Sequence, residues 1–360
     1  MAECYYGNII ERFLFNYTNP TQPLPDDRVE AAFATIVGTK QRRFGCMPPE
    51  NVQEALRDII WGSRDHIRFF LPWGSRKQVK GDSLDIMEFM ALKQLACLQD
   101  ELESLGYTSS FHIRIEDITD YWLFHDDPVS NQLTDEYAET LCSLGKLLLK
   151  PGTWFPVKET SLITKEQFCK QARENQPLFT MLLEDGSGAS YARQELRQLG
   201  WESSVPQEQR EYFIRQYAKY YPEEDGVCKL AQYFSSALAR TQLKAVAWPE
   251  APFIFITFGH PIPGNPYAPN RIFYRTIPQK FTNNHRSPWL AKGYMQIDRD
   301  DNICPKSLEY GEQPRELVNL QMEVNDIPVC ADYLLTDSHP LLGYKFHLDT
   351  TQHHTCGSGD

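Results

Sequence analysis

The stretch IRFFLPWGSRK, residues 67–77, decides the fold of this chain of 360 residues. Its apolar run, residues 67–71, predicts a buried strand that ends at Pro72 and leads into a loop with a hydroxyl and two cations. A long helical pattern follows over residues 82–105, where apolar residues recur at three- and four-residue steps. A second apolar run, residues 111–115, predicts a parallel strand. This order predicts a Rossmann-like α/β fold with a mostly parallel sheet flanked by helices.

The whole chain is predicted to form one α/β domain over residues 1–336. Its βαβ core covers residues 65–120, a mainly helical insertion covers 121–250, and late strands fall within 251–300. The polar tail, residues 337–360, ends in Gly-Ser-Gly-Asp and is predicted to be disordered.

The charge balance and the cysteine pattern exclude several classes of protein. Lys and Arg number 36 and Asp and Glu number 48, so the net charge of −12 argues against non-specific binding to nucleic acid or membranes. Neither a signal pattern nor an apolar run of about 18 residues is present, which predicts a soluble, cytoplasmic protein. The nine cysteines form no Cys-x-x-Cys pair, and no metal site is predicted.

One segment departs from the acidic average. Residues 251–297 contain no Asp or Glu but five basic residues, namely Arg271, Arg275, Lys280, Arg286 and Lys292. This pattern is typical either of a basic binding face or of a solvated patch.

Chemistry-bearing residues follow both predicted strands of the βαβ core. Ser75 could act as a nucleophile and Lys77 could hold a phosphate or carboxylate, although an ordinary loop serine and a solvated lysine fit the pattern too. Glu116 and Asp117 could bind a guanidinium or an ammonium. Alternatively, one of these two acids caps the following segment and the other is solvated. No Walker loop and no Gly-x-Gly-x-x-Gly occurs, so no nucleotide cofactor is predicted.

Two further groups are candidates for proton transfer or cation binding. Asp26, Asp27 and Glu30 form an Asp-Asp-x-x-Glu motif within one helical turn, where three carboxylates repel each other unless a metal, an amine or an arginine side chain compensates. Acids in a first helical turn are also common for structural reasons. Tyr191 and Glu195 share a helix face at i, i+4. They could transfer protons as a catalytic pair, or they could be an ordinary pair on a helix surface.

The order of elements resembles the isocyanide synthases of pyoverdine and dityrosine pathways. The matching features are a Leu-Pro strand end, the loop lysine Lys77, the long helix, the acids at 116–117, and Ser287-Pro288-Trp289. That family's Ser-Asp-Gly-Arg signature is absent, and Leu290 stands in the place of its final histidine. The resemblance implies a shared scaffold with different chemistry.

The Asp-Asp-x-x-Glu motif resembles the one that marks the fungal arginine-containing cyclodipeptide synthases, where it is needed for activity. This resemblance implies an enzyme that joins arginine from arginyl-tRNA to a second aminoacyl group from another aminoacyl-tRNA. Asp26, Asp27, Glu30 and Ser75 would be catalytic. Substrate would be bound by Glu116, Asp117, Lys77, Tyr191 and Glu195, and residues 251–297 would hold the tRNA acceptor stem. No cofactor is implied, because the aminoacyl ester is already activated.

Two other functions fit the sequence. The first is an isocyanide synthase that uses a free amino acid and a sugar phosphate. The second is a catalytically inactive protein that binds a small molecule or a partner.

Overall fold

The computed structural model describes residues 2–19, 23–43, 47–74, 84–118, 128–184, 235–236, 239, 242–243, 252–258, 271–282, 287–288, 292–308 and 317–336. The predicted disordered tail and much of the predicted insertion lie outside these residues.

The helices are α1 (Ala2–Asn16), α2 (Arg28–Val37), α3 (Glu50–Gly62), α4 (Ile86–Ser104), α5 (Pro128–Leu148) and α6 (Lys165–Glu184). The strands of the main sheet are β1 (His66–Gly74), β2 (Thr108–Glu116), β3 (Trp154–Lys158), β4 (Ile254–Phe258) and β5 (Arg271–Tyr274). Five later strands are β6 (Gly293–Ile297), β7 (Ile303–Ser307), β8 (Gln321–Val324), β9 (Ile327–Cys330) and β10 (Tyr333–Leu335).

The main sheet has the order β3-β2-β1-β4-β5, and each neighbouring pair of its strands is parallel. The predicted α/β class with a mostly parallel sheet is therefore confirmed. Side chains of β1 alternate between the faces of the sheet. Ile67, Phe69, Leu71 and Trp73 are fully buried and belong to the core that the helices α1 to α5 share.

The first strand continues through Pro72, so the prediction that this proline ends it was wrong. β1 pairs with β2 along its whole length, from His66 to Gly74. Its pairing with β4 covers only Phe69 and Phe70. A proline lacks the N–H that a ladder needs, and it is tolerated here because pairing on the β4 side has already ended.

Helix α4 is buried on nearly all sides and connects β1 to β2. Its N-cap is Asp85, whose carboxylate accepts a hydrogen bond from the backbone N–H of Met87 at 2.7 Å. The Glu88 carboxylate accepts one in return from the backbone N–H of Asp85 at 3.1 Å, which completes a capping box. The helix ends before Gly106, whose φ of 78° suits glycine.

The region predicted as a mainly helical insertion contributes a strand to the main sheet. β3 pairs in parallel with β2 and forms one edge of the sheet, and α5 connects the two strands. The sequence analysis did not predict this strand. β3 contains Pro156, which is compatible with an edge strand but weakens a strand signal in the sequence.

The later strands pack against the N-terminal end of α4. The second carboxylate oxygen of Asp85 accepts a hydrogen bond from the backbone N–H of Gly293 at 2.9 Å. The backbone N–H of Cys330 donates to the carbonyl of Leu84 at 2.8 Å. Residues of β6, β8, β9 and β10 join the same hydrophobic core as β1 and α4, so the two sets of strands share one core.

Candidate active site at the carboxyl edge of the sheet

The strand order reverses between β1 and β4. From β1 the chain moves outward to β2 and β3, and it then returns to place β4 on the other side of β1. In open parallel sheets, ligands bind outside the carboxyl ends of the strands at such a switch point. The carboxyl end of β1 is therefore the first place to expect an active site.

The register of the sheet brings two predicted site regions together. Gly74, the last residue of β1, pairs with Glu116, the last residue of β2. Neighbouring strands lie about 4.8 Å apart. Ser75 and Lys77 follow Gly74 in the sequence but lie outside the described residues. The carboxyl ends of the two strands thus meet where the sequence carries a hydroxyl, a cation and an acid.

The two acids at the end of β2 differ in environment. Asp117 is fully buried, and its carboxylate accepts hydrogen bonds from the backbone N–H of Thr160 at 3.0 Å and from the Thr160 hydroxyl at 2.5 Å. Burial raises the pKa of Asp117, although the bonds from Thr160 act in the opposite direction. Asp117 therefore fastens the end of β2 to the turn after β3. Glu116 is half-buried.

A buried polar chain beneath the end of β1 was missed by the sequence analysis. The indole Nε1–H of Trp73 donates to the hydroxyl of Tyr137 at 2.9 Å, and this hydroxyl donates to the Glu88 carboxylate at 3.3 Å. All three side chains are at most 1% exposed. Burial raises the pKa of Tyr137 well above its usual value, so the phenol stays protonated. These two hydrogen bonds fix the side chain of Trp73, the neighbour of Gly74, at the edge of the candidate site.

The Asp-Asp-x-x-Glu acids have separate partners. Asp27 is the N-cap of α2 and accepts hydrogen bonds from the backbone N–H groups of Val29 and Glu30. The Glu30 carboxylate accepts from the guanidinium of Arg57 on α3, at 2.6 and 3.1 Å. Asp26 is exposed and has no hydrogen bond or ion pair within the described part of the chain. An arginine of the chain itself thus compensates part of the charge of the motif.

The motif lies at the amino edge of the sheet. Arg28 forms an ion pair with Asp65, the residue before β1, at 2.9 Å. Arg28 also donates to the carbonyl groups of Leu105 and Gly106, just before β2. β1 has nine residues and spans about 26 Å. The structure therefore separates Asp26, Asp27 and Glu30 from the carboxyl edge and does not bring them together with Glu116.

The structure describes only some of the other features that the sequence predicted. Tyr191 and Glu195 lie outside the described residues. Within the described ranges, no three His, Cys, Asp or Glu side chains are grouped so that they could hold a metal ion. No helix in those ranges has the length and apolarity needed to cross a membrane.

The described part of the basic segment does not form an open cluster of cations. Arg275 is 8% exposed, and burial lowers its pKa. Lys292 forms an ion pair with the buried Asp332. The ammonium of Lys280 lies 4.7 Å from the ring centroid of Phe281. Arg275 is thus buried, Lys292 is ion-paired and Lys280 packs on an aromatic ring. That residues 251–297 hold a tRNA stem stays a prediction.

Comparisons with known proteins give only distant similarities. No family model matches the chain, and no curated protein matches it. The solved structure of the PvcA protein from Pseudomonas aeruginosa is 16% identical, with a TM-score of 0.45, over 91% of this chain and 99% of that one. Tryptophanyl-tRNA synthetase from Plasmodium falciparum is 12% identical, with a TM-score of 0.30, over 70% of this chain and 55% of that one. Both TM-scores are too low to bear on function.

Proposed function

We propose that this protein is an aminoacyl-tRNA-dependent cyclodipeptide synthase that joins arginine and a second amino acid into a diketopiperazine. The observation that carries the proposal is the pairing of Gly74 with Glu116 beside the switch point of the sheet. It supports a site at the carboxyl edge in which the hydroxyl of Ser75 and the carboxylate of Glu116 face one substrate. The motif shared with the arginine-containing family supports arginine as that substrate.

In the proposed reaction, the Ser75 hydroxyl attacks the ester carbonyl of arginyl-tRNA. The ester C–O bond breaks, and the terminal ribose hydroxyl leaves with the proton. The amine of the bound arginyl group then attacks the ester carbonyl of the second aminoacyl-tRNA and forms the first amide. The C–O bond of that ester breaks, and the second tRNA leaves through its ribose hydroxyl, which takes the proton. The new terminal amine attacks the serine ester, closes the ring and releases the Ser75 hydroxyl. Both esters are already activated, so no nucleotide is consumed.

Each remaining predicted residue has a place in this proposal. Glu116 binds the arginine guanidinium through charge-assisted hydrogen bonds, and Lys77 contacts a phosphate of the tRNA end. Tyr191 and Glu195 stay a predicted pair for binding the second substrate. Asp117 keeps β2 in place through Thr160. Asp27 and Glu30 of the Asp-Asp-x-x-Glu motif act on catalysis through the packing of α2 and not through contact with substrate. Asp26, which is exposed at the amino edge, is not required.

The test is deacylation of arginyl-tRNA labelled in the arginine. We expect the wild-type protein to release the label, Ser75→Ala to release none, and Glu116→Gln to be slower by about tenfold or more. Asp26→Ala is the matched control, because this acid is exposed at the opposite edge, and we expect it to retain full activity. A Ser75→Ala variant as active as the wild type would remove Ser75 from the mechanism.

The assay also separates this proposal from the two alternatives. An isocyanide synthase would leave arginyl-tRNA intact and would consume a free amino acid with a sugar phosphate. A catalytically inactive binding protein would do neither.

A further inference from the structure

A pocket of about 440 Å³ lies in the helical layer, away from the carboxyl edge of the sheet. It lies between the residues that follow α1, the C-terminal half of α2 and the C-terminal half of α4. Glu101 and Ser104 line it from the last turn of α4, just before the amino end of β2. Its volume falls within the range of small-molecule sites, about 300–1,000 Å³.

The pocket contains a buried cation beside a carboxylate. The Arg42 side chain is 6% exposed and donates to Glu101 at 2.5 Å and to the carbonyl of Thr35 at 3.0 Å. These two bonds use two of the five N–H groups of a guanidinium. The Glu101 side chain is 35% exposed, and Arg42 contacts only one of its two oxygens. The guanidinium also lies 6.0 Å from the ring centroid of Tyr274. Arg42 and the second oxygen of Glu101 belong to neighbouring side chains that line the same pocket.

A third group adds an unmatched donor. The side-chain oxygen of Asn19 accepts a hydrogen bond from the Tyr17 hydroxyl at 3.0 Å. The Nδ2 atom of Asn19 is buried and has no hydrogen-bond partner within the part of the chain that the structure describes. A buried amide without a hydrogen-bond partner lowers the stability of the folded protein, so such groups are rare and call for an explanation. Asn19 lines the pocket, so a ligand with an acceptor group would satisfy it.

We propose that this pocket binds a small zwitterion, namely a free α-amino acid. Its carboxylate accepts hydrogen bonds from the Asn19 amide and from the remaining N–H groups of Arg42. Its ammonium donates to the second carboxylate oxygen of Glu101. Asp100 at the rim is held by Lys150 at 3.1 Å and takes no part in the proposed binding. Leu24 and Cys97 also line the pocket and can contact the side chain of the ligand. This site is separate from the proposed active site and does not depend on the proposed function.

The pairing of charges explains why a zwitterion suits the pocket better than a simple anion or cation. An anion would meet Arg42 but also the carboxylate of Glu101. A cation would leave the Asn19 amide without an acceptor. Only a ligand with both charges matches all of these groups.

The experiment is isothermal titration of the full-length protein with each common amino acid in turn. We expect at least one to bind with a Kd of about 1 mM or lower. Its methyl ester and its N-acetyl derivative each lack one charge and should bind about tenfold more weakly. Absence of binding by every amino acid would overturn the proposal.

Variants locate the binding. Asn19→Ala and Glu101→Gln should each raise the Kd about fivefold or more, because each removes one contact to the ligand. Glu54→Gln makes the same chemical change as Glu101→Gln on the exposed surface of α3 and should leave the Kd unchanged. If Glu101→Gln fails to fold, the Kd of Asn19→Ala alone tests whether the ligand binds in this pocket. Wild-type affinity in folded Asn19→Ala would show that any binding occurs elsewhere and would overturn the proposal.

Discussion

The carboxylate of Glu30 on α2 is held by the guanidinium of Arg57 on α3, with distances of 2.6 Å to Nε and 3.1 Å to Nη2. The same guanidinium lies 4.0 Å from the ring centroid of Phe33, one turn further along α2. The last acid of the Asp-Asp-x-x-Glu motif therefore joins two helices of the layer that covers the sheet.

A double-mutant cycle tests this ion pair. Glu30→Gln and Arg57→Gln are made singly and together, and the free energy of unfolding is measured by urea denaturation. Both side chains are about one-third exposed or more, at 41% and 34%. Because solvent screens such pairs, the coupling energy should be about 0.5–1 kcal/mol. A coupling energy of zero would mean that the contact contributes nothing to the packing of α2 on α3.

The two adjacent aspartates of the motif provide a matched comparison. Asp27→Ala removes the N-cap of α2 and should lower the free energy of unfolding by about 1 kcal/mol. Asp26→Ala removes an exposed acid and should change it by less than about 0.5 kcal/mol. Equal losses in the two variants would contradict the assignment of Asp27 as the cap.

Tyr137→Phe tests the buried polar chain beneath the candidate site. The variant removes the hydroxyl that accepts from Trp73 and donates to Glu88. We expect a loss of about 1–3 kcal/mol in the free energy of unfolding, because the affected groups are buried. Tyr5→Phe removes an exposed hydrogen bond to Asp301 and should leave stability unchanged. A thermal unfolding curve of Tyr137→Phe that overlays that of the wild type would show that the hydrogen bonds of Tyr137 do not stabilise the fold.

Gly145 on α5 permits the close approach of β3. A Cβ at this position would lie 2.3 Å from a ring atom of Trp154, so Gly145→Ala must displace the indole. We expect a loss of about 1–3 kcal/mol. Gly62 on α3 has no atom within 4 Å of the corresponding position, and Gly62→Ala should be neutral or slightly stabilising. Chemical denaturation of both variants checks the pair, and a neutral Gly145→Ala would contradict the packing of β3 on α5.

We expect His112 to make the free energy of unfolding depend on pH. Its ring stacks on Phe155 with a centroid distance of 4.9 Å, and burial, together with the charge of Arg68, lowers its pKa below 6.5. The unfolded chain therefore binds the proton more readily than the folded protein. The contribution of neutral His112 to the free energy of unfolding is therefore complete above about pH 6.5, and it is lost as the pH falls below that value.

His112→Phe retains a ring at this position but cannot titrate. The difference in melting temperature between about pH 7.5 and about pH 5.5 should be smaller in this variant than in the wild type. An identical pH dependence in both proteins would exclude His112 as a source of the effect.

The sequence was sufficient for the centre of the fold. The apolar runs of β1 and β2 and the long pattern of α4 predicted a βαβ unit, because periodicity reports directly on burial. The cap of α4 was less predictable. The sequence offers Asp82 or Ser83 as the cap, whereas the structure has Asp85, which contacts with Gly293 and Glu88 select.

The features that escaped prediction depend on contacts between distant residues. The pairing of Glu30 with Arg57 spans 27 positions, and that of Trp73 with Tyr137 spans 64. Neither produces a local pattern in the sequence. For the same reason, the sequence grouped the motif acids with Ser75 as catalytic residues, although Arg28 fixes the motif at the amino edge of the sheet through Asp65 and the carbonyl groups before β2.

The most direct test of the proposed function is mass spectrometry of extracts from a bacterial host that expresses this chain alone. We expect a new product with the mass of an arginine-containing cyclic dipeptide, and we expect the same host expressing Ser75→Ala to lack it. Fragmentation of that product would identify the second amino acid. An extract without such a product, from cells in which the protein is folded and abundant, would contradict the proposed cyclodipeptide synthase.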